Sequence, residues 1–70
     1  MRDVERLAAE IEPVVDQHGI AEVLEALSFL CQAKSDHIEA AWQDRPLARA
    51  WKRVGDKVAQ ASRAARTERL

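Results

Sequence analysis

Apolar residues recur along most of this chain three and four positions apart, the spacing that places them on one face of an α-helix. The first run predicts a helix over about 3–18, which Asp3 is suited to cap and Gly19 to terminate. Its apolar positions are Val4, Leu7, Ala8, Ile11, Val14 and Val15. The register continues across Pro13, so we favour one kinked helix over two short ones.

A second run predicts a central helix over about 21–43 that is apolar on two sides. The main apolar side comprises Ile20, Val23, Leu24, Leu27, Leu30, Cys31, Ile38, Ala41 and Trp42. We expect Leu27 and Leu30 to be buried in the core. Phe29 lies nearly opposite, and the alanines on its side are Ala26, Ala33 and Ala40. A polar arc that includes Ser28 separates the two sides. This helix therefore needs a neighbour on each side.

A third run predicts a helix over about 45–66, with Asp44 as its cap and Pro46 in the first turn, where no backbone donor is missed. Its apolar stripe consists of Leu47, Ala50, Trp51, Val54, Val58, Ala61 and Ala65. Trp42 and Trp51 flank the corner between the second and third helices. We expect them to pack at one end of the fold; the alternative is an exposed anchor for a partner.

Composition agrees with an all-α fold, because 47% of the residues are hydrophobic and the chain has two glycines and two prolines. Short connections make consecutive helices antiparallel. Residues 1–70 therefore form a single small domain, either a three-helix bundle or a long helical hairpin with an N-terminal helical arm. A core of this size rarely supplies more than ~3–5 kcal/mol. The single cysteine excludes an internal disulfide, so we expect stabilisation by self-association, most simply as a homodimer.

Two short motifs accompany this helical pattern. His18 and Gly19 precede a helix rich in valine and leucine, and a Trp-Gln-Asp triplet at 42–44 marks the next corner. These features resemble segments of short, uncharacterised all-helical proteins of bacteria and their phages. The resemblance covers about the middle half of the chain. It implies a helical fold and no particular activity.

Charge is distributed unevenly along a chain whose net charge is −1. Residues 1–44 hold three bases and ten acids, whereas residues 45–70 hold eight bases and two acids. The third helix thereby gains a basic face, made of Arg49, Lys52, Arg53, Lys57 and Arg63. We favour the interpretation that this face meets acidic surface within the chain or in a second copy. The alternative is a phosphate-binding face.

Catalytic and metal-binding patterns are missing from the sequence, which has neither CxxC nor HExxH and no convergent nucleophile and base. We therefore predict no enzymatic activity, cofactor or metal. Acidic residues within 1–20 argue against a signal peptide or membrane span, and the lone thiol suits a reducing cytoplasm. A helix-turn-helix around Gly19 is disfavoured, since Glu22 and Glu25 would repel phosphates.

The functional prediction is a cytoplasmic protein that acts through protein–protein contacts, as an adaptor, modulator or inhibitor, and forms a homodimer. Phe29 with its three alanines is the predicted oligomer or partner interface, although Phe29 could instead contact the first helix. The alternative function is nucleic-acid binding by the basic face of the third helix, without an enzymatic role.

Overall fold

The computed structural model describes residues 2–70 and is all-α, with no strand in that range. The three helices are α1 (Arg2–His18), α2 (Ile20–His37) and α3 (Arg45–Thr67), and a π-helical turn at Ile38–Trp42 extends α2. The all-α prediction is confirmed. The bounds of α1 and α3 match the predicted helices to within one residue, whereas the α-helical part of the second helix ends earlier than expected.

The architecture is a long helical hairpin with an N-terminal helical arm. α2 and α3 pack against each other along their length, and α1 has far fewer contacts with α2. Within residues 2–70, no Cα atom of α1 lies within 8 Å of a Cα atom of α3. α1 is thus an arm joined to the hairpin, and the alternative of a closed three-helix bundle does not apply to this single chain.

Each of the two junctions is built by the residues expected there. The N–H of Gly19 donates to the carbonyl of Val15 (2.7 Å) and its own carbonyl accepts from the N–H of Val23 (3.2 Å), so this residue both ends α1 and begins α2. Its φ of 84° favours glycine. Asp44 caps α3, since its Oδ1 accepts from the N–H of Leu47 at 3.1 Å.

One detail of α1 differs from the sequence analysis and another agrees with it. The helix begins at Arg2, so Asp3 lies inside the first turn and does not cap it, although its charge still suits that end. The helix also continues through Pro13 to His18 as one element. Pro13 therefore does not divide the arm, in agreement with the favoured alternative.

α2 and α3 meet along a line of small residues, which we call the small-residue seam: Ala21, Ser28, Ser35, Ala48, Gly55 and Ser62. On each helix these positions are seven apart, and they pair in antiparallel order. The hydroxyls of three serines donate across the seam: Ser62 to the carbonyl of Ala21 (2.8 Å), Ser28 to that of Gly55 (2.9 Å) and Ser35 to that of Ala48 (2.7 Å). The seam therefore fixes the register of the hairpin.

The prediction that Leu27 and Leu30 form the buried core is wrong. Both are exposed, Leu30 over 57% of its surface, whereas Ser28, assigned to a polar arc, faces α3. The reason is steric, because helices can approach closely only where side chains are small. Among residues 3–70, Ile38 is the only large apolar side chain that is buried, at 4% exposure.

The two tryptophans do not share one packed cluster. Trp42 is 65% exposed and meets the edge of His37, with 6.4 Å between ring centroids. Its predicted packing at the end of the fold is wrong, since most of its surface, at the end of the π-helical turn, is open to solvent. Trp51 is half-buried, as is Cys31, which lies against Gly55 across the seam.

Candidate functional site

A mainly apolar cleft of about 420 Å³ lies between the arm and the hairpin, and we call it the arm cleft. Its lining residues are Ile11, Val14, His18, Glu22, Val23, Ala26 and Leu27. Within this lining, the ring of His18 forms a hydrogen bond with Glu22 (Nδ1 to Oε1, 3.1 Å). The remaining lining is aliphatic, so the cleft suits an apolar surface of another molecule rather than a polar ligand.

Further apolar side chains continue from this cleft onto the same side of the hairpin. Leu27 precedes Ser28, and Val54 precedes Gly55, the residue that Ser28 meets across the seam. In a pair of antiparallel helices, the residues that directly precede two facing residues lie on the same side of the pair. Leu27 and Val54 therefore share one side of the hairpin. A second apolar depression of about 260 Å³ lies around Val54, lined by Leu47, Ala50, Trp51 and Val54. We call this surface the apolar side of the hairpin.

Phe29 lies on the opposite side of the hairpin, where it is 74% exposed. It borders a groove of about 320 Å³ together with Ala59 and Arg63 of α3. An ion pair between Arg66 and Glu25 bridges the two helices beside it. The groove that Phe29 borders is lined by residues of α2 and α3, which does not favour the alternative that Phe29 contacts the first helix.

The four predicted interface residues do not share one depression. Ala26 lines the arm cleft, whereas Phe29 lines the groove with α3. Ala33 and Ala40 are exposed farther along the chain. Helical spacing alone placed these residues on one side, but the arm and α3 divide that side into two surfaces.

The predicted basic face is exposed at every position: Arg49, Lys52, Arg53, Lys57 and Arg63. Arg49 and Lys52 line a depression of about 250 Å³ that also includes Arg45 and Glu39. Between side chains of residues 3–70, the structure has the ion pair Arg66–Glu25 and the hydrogen-bonded pair His18–Glu22. All five bases of the face are therefore outside the intramolecular ion pairs of this part of the chain.

Two further features concern chemistry and membranes. No three His, Cys, Asp or Glu side chains within the described range are grouped so that they could hold a metal ion. None of the helices at 2–70 combines the length and the hydropathy required to cross a membrane.

Among the residues of the arm cleft, Ala26 belongs to the interface predicted from sequence, whereas the helical period of the larger aliphatic residues predicts that they lie in the core. The signal that could have revealed them is the seven-residue repeat of small residues in α2 and α3, which marks the face that packs.

Comparison with known proteins adds no further assignment. No protein-family model matches the chain, and no curated protein or solved structure is significantly similar to it. The resemblance to short helical bacterial and phage proteins therefore stays a prediction.

Proposed function

We propose that this chain is a small non-enzymatic helical protein that acts through protein–protein contacts, as an adaptor, modulator or inhibitor, and that it works as a homodimer. The observation that supports this proposal is the amount of apolar surface left open on both sides of the hairpin. The arm cleft and the groove beside Phe29 offer one surface for self-association and another for a protein partner. The single unpaired cysteine supports a cytoplasmic location.

Exposed apolar residues are common on proteins singly, but contiguous patches mark sites of association. Here the exposed large residues are Val4, Leu7, Ile11, Val14, Leu27, Phe29, Leu30, Trp42, Leu47, Val54 and Leu70. Four of them belong to the arm and follow its helical period. A chain of this size gains little stability from its own core, so covering such patches is energetically important.

Sedimentation equilibrium of the full chain over a wide range of concentrations tests this proposal. We expect the mass of a dimer, unchanged by added duplex DNA. A monomer at every concentration would contradict the homodimer. Because apolar burial is insensitive to ionic strength, the dimer is expected to persist when salt is raised, whereas contacts between exposed charges weaken.

Nucleic-acid binding is the second candidate, and the exposure of the whole basic face supports it. If four or five of these bases contact phosphates, the logarithm of the binding constant for duplex DNA falls with the logarithm of salt concentration, with a slope of roughly −4. The double variant Arg49→Glu with Arg53→Glu removes this binding, whereas Arg69→Glu, outside the basic face, serves as its control. Salt-independent binding, or none, would contradict this alternative.

A further inference from the structure

We infer that the arm of each chain lies across the apolar side of the hairpin of a second copy, so that the two chains of the dimer exchange their arms. This inference rests on the proposed homodimer and specifies how it forms. The surfaces involved are the apolar stripe of α1, comprising Val4, Leu7, Ile11 and Val14, and the apolar side of the partner's hairpin.

The accessible area of the single chain supports a second copy as the occupant. The chain exposes 5847 Å², whereas a folded monomer of 7.9 kDa exposes about 4400 Å². The excess of about 1400 Å² per chain exceeds the ~800 Å² that each partner buries in a standard interface. Twice that excess falls within the range of permanent homodimers, ~2000–5000 Å² in total.

Charge complementarity supports the arm as the element that covers the partner. The sequence of α1 contains two arginines and five carboxylates, hence −3, whereas α3 contains seven bases and one acid, hence +6. These helices attract each other by charge, yet they do not come together within one chain. In the exchanged dimer the acidic arm approaches α3 of the other chain from the apolar side, opposite the side on which Arg63 borders the groove of Phe29. The net charges of the two helices therefore attract at long range and orient the copies, without direct contact between the arm and Arg63.

The dimensions of the arm fit this arrangement. A helix of the length of α1 extends about 25 Å, and packed helices have axes about 8–10 Å apart, so one arm can cross both helices of a hairpin. A two-fold axis then produces two identical contacts, in each of which an arm covers the other chain. Side chains that are exposed in the single chain, such as Leu7 at 55%, become buried.

Aspartate substitutions in the full chain, followed by sedimentation equilibrium, give the first test. Leu7→Asp introduces two carboxylates per dimer into the apolar contact, and we expect the dissociation constant of the dimer to rise at least about 100-fold. Ala9→Asp places the same charge on the opposite face of the arm, and we expect a change within about threefold. Circular dichroism should show Leu7→Asp to be as helical as the parent.

Cross-linking of mixed chains distinguishes exchange from an arm that folds back onto its own hairpin. In a Cys31→Ala background, one chain carries Leu7→Cys and the other carries Val54→Cys, and a short bis-maleimide is added. We expect a covalent pair of unlike chains. Ala9→Cys mixed with Val54→Cys is the matched control and should give little product.

The outcomes separate this inference from the proposed function. A wild-type monomer at all concentrations overturns both. If the dimer survives Leu7→Asp and dissociates on Phe29→Asp, the second copy binds beside Phe29; the homodimer stands and arm exchange is overturned. A linked product confined to single chains carrying both Leu7→Cys and Val54→Cys, with none from the mixture, also overturns exchange.

Discussion

Across the small-residue seam, α2 and α3 lie so close that a Cβ added at Gly55 would be 2.9 Å from the Cβ of Cys31. On the apolar side of the hairpin, by contrast, Leu27 leaves 43% of its surface exposed and Val54 leaves 54%. One helix pair thus has a tight contact of small side chains beside a loose surface of large ones. The two regions contribute differently: the first determines which helices pair, and the second offers area for another chain.

The difference shows how a small hairpin can specify its own pairing while keeping apolar surface for association. Serine hydroxyls bonded to carbonyls across the seam are directional, so they define register in a way that aliphatic packing does not. The side chains of Ser35 and Ser62 are buried yet satisfied by these bonds. Little of the hydrophobic area of the chain is used for this purpose.

The largest expected effect belongs to Ile38, which among residues 3–70 is the one large apolar residue that is buried. Ile38→Ala should lower the free energy of unfolding by ~2–5 kcal/mol, because it leaves a cavity in a minimal core. Urea denaturation, monitored by circular dichroism, measures it. Leu30→Ala is the control, at a protein concentration low enough to favour single chains. Equal losses for the two variants would contradict the division between buried and open regions.

A somewhat smaller effect is expected at Gly55. Gly55→Val forces a branched side chain against Cys31 and against the carbonyl of Ser28, which lies 3.4 Å from the added Cβ. We expect a loss of ~1–3 kcal/mol from overpacking, despite the better helix propensity of valine. Ala64→Val, on the exposed side of α3, should cost less than about 1 kcal/mol. A Gly55→Val protein as stable as the parent would show that the seam is not closely packed.

The smallest effect concerns a single hydroxyl. Ser35→Ala removes the bond to the carbonyl of Ala48 and should cost ~0.5–1.5 kcal/mol. Thr67 provides the matched control, because its hydroxyl also donates to a carbonyl, that of Arg63 at 3.1 Å, but in an exposed position of one helix. Thr67→Ala should change stability by less than about 0.5 kcal/mol. Equal costs would mean that bonds across the seam add nothing beyond local ones.

The local structure of this protein was determined largely by its sequence. Helical periodicity identified three helices because apolar spacing directly reflects the geometry of the α-helix. The cap at Asp44 and the junction at Gly19 followed from local chemistry, a side-chain acceptor in one case and a positive φ in the other. These features depend on residues within a few positions of one another, so they can be predicted without knowledge of the fold.

The tertiary structure decided which face of each helix is buried and where the arm lies. Periodicity ranks faces by hydrophobicity and therefore assigned Leu27 and Leu30 to the core, with Ser28 on a polar arc. The distance between two helix axes depends instead on side-chain volume at the line of contact, and there serine and glycine allow an approach that leucine prevents. Burial in this hairpin therefore depends on pairs such as Ser28 and Gly55, which are 27 positions apart in sequence. Such residues fit against each other only when both helices have formed.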